Sequence, residues 1–254
     1  MGDHVIGIKS LRKKKSRDEL GVFIVEGEKF VSEIPTNYRI LQYIVSDDYK
    51  KPTDSLKIRA GVLQVSRAMF NSVAETISPQ GILAVVEKKR FTLSDAKNGF
   101  MLVCDNLSDP GNLGSLIRTA AAAEASCVVL TPESASVWNP KVQRASAGTA
   151  LKLPIISDMC INEVADFAKK NKLPIYAAHQ RGGSLPYELD LSEQFCLIIG
   201  SESRGLSQAS IDQADALIRL PMGDDVESLS VAAAGSIIMY EAVRQKVSKS
   251  SHKK

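Results

Sequence analysis

Short apolar runs separated by polar turns make up the first third of the chain. Residues 22–27, 39–46, 61–66 and 81–86 are rich in β-branched and apolar side chains, as strands are. A helix-like alternation of polar and apolar residues covers residues 28–34. This pattern predicts a small α/β domain over residues 1–90. The polar, turn-rich stretch at 91–99 predicts a linker after it.

From residue 100 onward the predicted strands are apolar at almost every position. These runs cover residues 100–104, 127–130, 175–178, 196–199 and 216–220, and helix-like stretches cover residues 113–125, 161–171, 208–215 and 231–246. Strands that are apolar on both sides and alternate with helices are typical of a parallel sheet covered on both faces. The pattern therefore predicts a second α/β domain of Rossmann-like type over residues 100–246, followed by a basic tail over 247–254.

The composition of the 254 residues is that of a globular protein, with 44% hydrophobic and 24% charged residues. No apolar run reaches the roughly 18 residues that cross a membrane, and no apolar block near the start predicts a secretory signal. The four cysteines are widely spaced and have no histidine nearby, which argues against a zinc site and a disulfide framework. We expect buried free thiols, a cytoplasmic protein, no metal and no membrane contact.

Basic residues are concentrated at the two ends of a chain whose formal net charge is only +3. Lys13, Lys14, Lys15 and Arg17 lie near the start, and a second group lies within residues 244–254. Such clusters bind nucleic-acid phosphates by releasing counterions. The N-terminal group predicts RNA contact, with a solvated surface as the alternative. For the C-terminal group, RNA contact and a solvated tail fit equally well.

The glycine-rich fingerprints of common nucleotide cofactors are missing. No Gly-x-Gly-x-x-Gly follows the strand at 100–104, and residues 111–114 lack the lysine of a P-loop. Gly200 and Gly205 instead follow the run at 196–199, at the end of a strand where open parallel sheets bind ligands. Gly200 is expected to let the chain approach a cofactor closely.

Taken one at a time, the polar residues near these strand ends have ordinary explanations. The turn at 109–112 predicts a helix with Asn112 as its N-cap residue, and Arg118 follows as a surface arginine. Glu202 fits a solvated loop acid, and His179 fits a polar residue at a strand end.

Four motifs in a fixed order change this interpretation. They are Asn-Leu-Gly-Ser-Leu-Ile-Arg at 112–118, Asn-Pro-Lys-Val-Gln-Arg-Ala-Ser-Ala-Gly at 139–148, Ile-Gly-Ser-Glu-Ser-Arg-Gly-Leu at 199–206, and Leu-Pro-Met at 220–222 followed by Ser-Leu-Ser-Val-Ala at 228–232. Together they resemble the SpoU (TrmH) family of RNA ribose 2′-O-methyltransferases. The resemblance implies S-adenosyl-L-methionine as cofactor and RNA as substrate, with 23S ribosomal RNA favoured over transfer RNA.

The resemblance also implies architecture. It replaces the Rossmann-like path with a deep trefoil knot in the C-terminal domain, one of the rare exceptions to unknotted chains. The N-terminal domain resembles a ribosomal-protein-like RNA-binding module. A homodimer is expected to form through the C-terminal domain, with part of the last predicted helix at the interface: Val231, Ile237, Ile238, Tyr240 and Val243.

Individual roles follow from the same resemblance. Catalytic roles fall on Asn112, Arg118, Glu202, Ser228 and Ser230. Cofactor-binding roles fall on Gly200, Gly205, Leu220, Leu229 and Ala178, with His179 as a weaker candidate. Predicted RNA contacts are Lys13, Lys14, Lys15, Arg17 and Arg144.

Two features keep alternatives open. The family's arginine has been assigned as general base, whereas a guanidinium with a pKa above about 12 is better suited to stabilise a developing negative charge. Ser230 stands where the family usually has asparagine, so a non-catalytic RNA-binding protein of the same fold is one alternative. A Rossmann-type enzyme acting on a small molecule is another.

Overall fold

The computed structural model describes residues 7–57, 59–96 and 98–251. The chain divides into two compact units, residues 1–89 and 90–254. The first residues of the predicted N-terminal domain (1–6) and the last of the predicted basic tail (252–254) lie outside the described residues.

The first unit is built on a four-stranded mixed sheet. Its strands are β1 (Val22–Glu26), β2 (Ile40–Ser46), β3 (Gly61–Val65) and β4 (Ile82–Glu87), in the spatial order β1-β4-β2-β3. Strand β4 is antiparallel to both β1 and β2, and β2 is parallel to β3. All four strands lie where the apolar runs predict them.

Among the described residues, five short helices accompany this sheet: α1 (Ile8–Leu11), α2 (Lys14–Glu19), α3 (Glu28–Ser32), α4 (Asp54–Lys57) and α5 (Arg67–Asn71). Leu11 and Phe70 are buried against apolar side chains of the sheet. The sequence pattern predicts only α3, because the other helices have at most six residues and too few turns to show a period.

The second unit contains a six-stranded sheet in which every pair of neighbours is parallel. Its strands are β5 (Met101–Asp105), β6 (Cys127–Leu130), β7 (Ile155–Ile156), β8 (Ile175–Ala178), β9 (Cys196–Gly200) and β10 (Ala216–Ile218), in the spatial order β10-β8-β9-β5-β6-β7. The parallel sheet is as predicted, and only the two-residue β7 was missed. Strand β9 lies between β5 and β8, so the order differs from that of a Rossmann fold.

In the described part of this unit, five α-helices lie between and after these strands: α6 (Pro110–Ala122), α7 (Pro140–Ala145), α8 (Ile161–Lys170), α9 (Gln208–Gln213) and α10 (Val231–Ser251). On one face, α6 and α10 bury Leu116 and Met239 against side chains such as Leu102 of β5. On the other face, α8 buries Val164 against Val103. Both faces of the sheet are therefore covered, as predicted from strands that are apolar on both sides.

The segment predicted to be a linker, residues 91–99, belongs to the second unit. Phe91, Leu93 and Ala96 pack against the same core as Val103, and residues 93–95 form a short 3-10 turn. The linker prediction was wrong because the stretch is mostly polar, and its three apolar residues do not stand out in the sequence.

The last helix, α10, is longer than predicted, and more of its apolar side chains lie in the core than predicted. It continues to Ser251, through residues assigned by sequence to the tail. Ile238, predicted at a dimer interface, is only 1% exposed and lies inside the core, with Val231 and Val243 packed against that core. Within the described residues, no helix has the length and apolar character needed to span a membrane.

Candidate active site

A cavity of about 260 Å³ lies where strands β8, β9 and β10 end and helix α10 begins. These are carboxyl ends of parallel strands, where open α/β sheets bind ligands. The cavity is lined by nine of the predicted site residues, although they come from four separate segments of the chain: Ala178, His179, Gly200, Glu202, Gly205, Leu220, Ser228, Leu229 and Ser230. Apolar side chains, among them Ile199 and Ile218, complete the lining.

The loop at 200–206 forms one wall of the cavity and folds back on itself. The N–H of Ser201 donates to the carbonyl of Gly205 at 3.0 Å, and the N–H of Gly205 donates back to the carbonyl of Ser201 at 2.8 Å. Gly205 has a φ of +68°, in the left-handed region that favours glycine. This tight turn supports the loop at the cavity edge.

Gly200 is required for a different reason than predicted. A Cβ built on Gly200 would lie 2.5 Å from the amide nitrogen of Leu206 and closer still to the carbonyl of Gly205. The space above Gly200 is therefore filled by the returning loop. The expectation that this glycine leaves room for a ligand is wrong, because its missing side chain leaves room for the loop that forms the cavity wall.

Asp105 anchors the other end of this loop, and sequence reasoning missed it. The residue is only 1% exposed and ends strand β5, opposite Gly200 in the neighbouring strand β9. Its Oδ2 accepts hydrogen bonds from the N–H of Ser207 and the hydroxyl of Ser210, each at 2.7 Å. Ser207 also caps α9. A carboxylate directly after a fully apolar strand was the available signal, because buried acids are rare without partners.

Ser230, which stands where the resemblance expects asparagine, begins helix α10. Its hydroxyl accepts a hydrogen bond from the N–H of Ala233 at 3.2 Å, as an N-cap residue does. Ser228 and Leu229, just before it, are exposed and line the cavity. The serine therefore keeps one function that asparagine serves equally well at this position, the capping of a helix beside the cavity.

Six residues of the cavity lining have polar side chains, and two of these six, Glu202 and His179, have ionisable groups. Glu202 is exposed and, among the described residues, has no hydrogen-bond or ion-pair partner. It is the one acidic residue in the cavity lining. His179 also lines the cavity, and its Nδ1 accepts hydrogen bonds from the N–H groups of Arg181 and Gly182. His179 therefore lies in the cavity lining and also supports the turn that follows strand β8.

Asn112 and Arg118 lie on helix α6 and do not line this cavity. The N-cap residue of α6 is Asp109, whose Oδ1 accepts the N–H of Asn112 at 2.7 Å, so the prediction of Asn112 as N-cap is wrong. Pro110 occupies the first turn, which suits proline. Arg118 is exposed and makes no ion pair or hydrogen bond within the described residues, so its guanidinium is available to a ligand.

Helix α7, which the sequence pattern did not predict, carries the second motif. Asn139 is its N-cap residue and accepts the N–H of Lys141 at 2.9 Å. The helix packs closely on α6, because a Cβ on Gly114 would lie only 2.5 Å from that of Ala145. Arg144 is exposed on this helix. Motifs one and two are thus held together by a small-residue contact.

The basic run in the first unit is partly structural. Lys13, Lys14 and Lys15 are exposed. Arg17 differs, because its side chain is only 11% exposed, pairs with Glu75 at 3.2 Å and donates to the carbonyl of Leu11 at 2.7 Å. We therefore withdraw Arg17 from the predicted RNA contacts, since its guanidinium is already held by protein groups.

The cysteines provide no nucleophile for the site. Cys104, Cys127 and Cys196 are buried, and Cys160 is exposed. Burial raises the pKa of the Cys104 thiol to about 12 and that of Cys127 to about 11, which keeps both thiols protonated near neutral pH. In the described part of the chain, no group of three or more His, Cys, Asp or Glu side chains is placed to hold a metal ion.

Comparison with known protein families gives two matches that together cover most of the chain. Residues 99–240 match the SpoU rRNA Methylase family, and residues 3–84 match the MRM3-like substrate binding domain. A relative from Bacillus subtilis, the 23S rRNA (guanosine(2553)-2′-O)-methyltransferase RlmP, is 34% identical over 91% of this chain and 92% of its own length.

Solved structures give the same picture of the fold. The AdoMet-bound rRNA methyltransferase from Sinorhizobium meliloti has a TM-score of 0.80 and 29% identity, covering 93% of this chain and 92% of that one. The methyltransferase AviRb from Streptomyces viridochromogenes, in complex with AdoMet, has a TM-score of 0.87 at 24% identity and covers 95% of this chain and 98% of its own. At that identity the second likeness concerns the fold alone.

Proposed function

The chain belongs to the SpoU rRNA methylase family, and from this premise we propose that it methylates a ribose 2′-hydroxyl of 23S ribosomal RNA, with S-adenosylmethionine as cofactor. The observation that carries the proposal is the cavity at the carboxyl ends of β8, β9 and β10, with Gly200, Leu220 and Leu229 in its lining. The relative from Bacillus subtilis, named for a guanosine of 23S rRNA, favours a guanosine as the target.

The cavity fits a nucleoside cofactor that carries a positive charge. Its apolar side chains suit an adenine ring, and the loops that form its walls present backbone donors and acceptors. Glu202 offers a negative charge beside them. We assign Ala178, Gly200, Gly205, Leu220 and Leu229 to cofactor binding, and Glu202 to the cofactor loop as a carboxylate that complements a cation.

When bound, S-adenosylmethionine would supply a methyl group on a positively charged sulfur. The ribose 2′-oxygen would bond in line to the methyl carbon as the carbon–sulfur bond breaks, and the hydroxyl proton would pass to solvent. The protein must then bring the ribose 2′-oxygen to the methyl carbon and stabilise the negative charge that develops on this oxygen. We assign this task to Arg118, which is exposed and unpaired among the described residues. Because a guanidinium is almost never neutral, Arg118 acts by stabilising the oxygen and holding the neighbouring phosphate, not as a base.

Helix α6 begins at the same sheet edge as the cavity. This position supports a site in which the cavity binds the cofactor and α6 contacts the ribose. Strand β5 pairs directly with β9, and α6 follows β5 after a short turn. Asn112 in the first turn of α6 and Ser228 near the cavity are then suited to orient the ribose and Arg118. Much of the acceleration comes from holding two reactants in line.

We assign RNA binding to the first unit together with Arg144. The match of residues 3–84 to a substrate binding domain supports this role. The exposed Lys13, Lys14 and Lys15 provide phosphate contacts that do not depend on sequence.

We further propose that the protein is a homodimer formed through α10. Ile237, Tyr240 and Val247 are 48%, 54% and 60% exposed, which gives this helix three exposed apolar side chains. Light scattering is expected to give a dimer for the parent and a monomer for the variant in which Ile237 and Tyr240 are both aspartate. A fully active parent monomer at micromolar concentration contradicts the dimer.

We also propose that the chain path of the second unit is a trefoil knot. The position of β9 between β5 and β8, reached after β8 in the chain, supports a path that differs from the Rossmann fold. An experimental structure whose path can be pulled straight from both ends contradicts it.

The proposed function is tested by transfer of labelled methyl groups to purified total RNA lacking the modification. We expect the label in 23S rRNA, on a ribose. Label confined to transfer RNA, or cofactor binding with no transfer to any RNA, contradicts the proposal.

A further inference from the structure

His179 holds the turn that follows strand β8. Its Nδ1 accepts hydrogen bonds from the backbone N–H of Arg181 at 3.3 Å and of Gly182 at 3.1 Å. Backbone N–H groups can only donate, so Nδ1 must carry a lone pair. A neutral imidazole with a lone pair on Nδ1 carries its hydrogen on Nε2. The loop therefore selects the tautomer of the ring, and it does so in a residue that lines the cofactor cavity.

The turn that orients the ring is itself fastened to strand β10. The N–H of His179 donates to the carbonyl of Ile218 at 2.8 Å, and the N–H of Ser184 donates to that of Leu217 at 2.9 Å. Gly183, with a φ of +110°, lies against Leu217 so closely that a Cβ there would be 2.7 Å from the Leu217 Cβ. The turn between His179 and Ser184 therefore has little freedom to move, which keeps the imidazole in place.

We propose that His179 is a cofactor-binding residue of this chain, whose Nε2–H donates a hydrogen bond to an acceptor atom of bound S-adenosylmethionine. The inference rests on the proposed function and adds a side-chain contact to it. The other predicted cofactor residues, such as Gly200 and Leu220, have no side-chain donor.

Two variants of the full chain distinguish the roles of the two nitrogen atoms of the His179 ring. In His179→Asn, the side-chain oxygen takes the place of Nδ1 and continues to accept the two loop N–H groups, but nothing replaces Nε2. In His179→Gln, the longer amide reaches the position of Nε2 and restores a donor there. Arg181→Ala is the matched control, because it removes an exposed side chain of the same loop and keeps the backbone N–H.

Calorimetry with S-adenosylmethionine gives the first readout, and hydrogen exchange of a peptide covering residues 179–184 gives the second. For His179→Asn we expect parental exchange and a dissociation constant raised about five- to fifteen-fold, as expected when one hydrogen bond is removed. Affinity should recover at least partly in His179→Gln and stay within about twofold of the parent in Arg181→Ala. In steady state, KM for the cofactor should rise while kcat at saturating cofactor stays within about threefold.

The possible outcomes distinguish a failure of this inference from a failure of the proposed function. Unchanged cofactor affinity in His179→Asn overturns the inference and leaves the methyltransferase proposal intact. Weaker affinity together with faster exchange of residues 179–184 in that variant also overturns it, because the effect then comes from a loosened loop. A parent chain that does not bind S-adenosylmethionine at all overturns the proposed function, and the inference with it.

Discussion

Replacing Gly200 with alanine is expected to weaken cofactor binding by deforming the loop at 200–206. The added Cβ would lie 2.5 Å from the amide nitrogen of Leu206 and closer to the carbonyl of Gly205. Ordinary carbon contacts need about 3.5 Å or more, so this backbone has to move by about 1 Å. Backbone cannot rotate out of the way as the end of a flexible side chain can.

The size of the effect follows from the bonds that this movement breaks. Ser201 and Gly205 exchange two backbone hydrogen bonds, at 3.0 and 2.8 Å, and both depend on the position of Gly205. Losing two such bonds costs about 1–3 kcal/mol. With about 1.4 kcal/mol for each factor of ten, we expect the dissociation constant of S-adenosylmethionine to rise by about 5- to 150-fold.

Titration calorimetry on the full chain measures this change directly. Gly223→Ala is the matched control, because a Cβ there has no atom within 4 Å and the backbone is not left-handed. We expect its affinity to stay within about twofold of the parent. Gly205→Ala should fall between the two, since it causes no clash but places alanine at a φ of +68°, at a cost of about 1 kcal/mol. Parental affinity in a fully folded Gly200→Ala refutes the packing explanation.

Three further predictions concern other parts of the molecule. Asp105→Asn should lower the free energy of unfolding, measured in urea, by about 2–3 kcal/mol, because the buried carboxylate that accepts two hydrogen bonds of 2.7 Å loses its charge. A decrease of less than about 0.5 kcal/mol contradicts the role of Asp105 in anchoring the loop. Replacing the lysines at 13–15 with alanine should reduce the log–log salt slope of RNA binding by about 0.7–0.9 for each RNA phosphate that is no longer neutralised. Replacing the exposed lysines at 169, 170 and 172 is the control, and equal slopes in both variants contradict the assignment. Iodoacetamide at pH 8 should modify Cys160 and spare Cys104, whose pKa is raised to about 12 by burial, and rapid labelling of Cys104 in native protein contradicts its burial.

The sequence predicted the elements that depend on local pattern. Strands such as β6 (Cys127–Leu130) are continuous apolar runs, and their bounds agree with the prediction. Helix α7 was missed because its six residues, which start at Pro140, show too little periodicity. The order of strands in the sheet was also beyond reach, because the insertion of β9 between β5 and β8 depends on contacts between distant residues.

Residue roles were harder to predict than residue positions. The motifs located Gly200 correctly at the cavity, but its contact with the returning loop appears only when residues 200 and 205 are placed in space. Arg17 belongs by charge to the same basic run as Lys15, and its burial and its contacts with Glu75 and Leu11 distinguish the two. Asp105 was missed because its partners, Ser207 and Ser210, lie about 100 residues later at the start of α9. The contacts of His179 depend on a turn whose shape the sequence does not specify.

The most direct test of the central claim locates the transferred methyl group. Unmodified 23S rRNA made by transcription is incubated with the protein and labelled S-adenosylmethionine, then digested and separated into nucleosides. The account predicts label in a 2′-O-methylated nucleoside, with guanosine favoured, and a single-turnover rate about 100-fold lower or more for Arg118→Lys at unchanged cofactor affinity. Label on a base, or an Arg118→Lys rate within a few-fold of the parent, contradicts it.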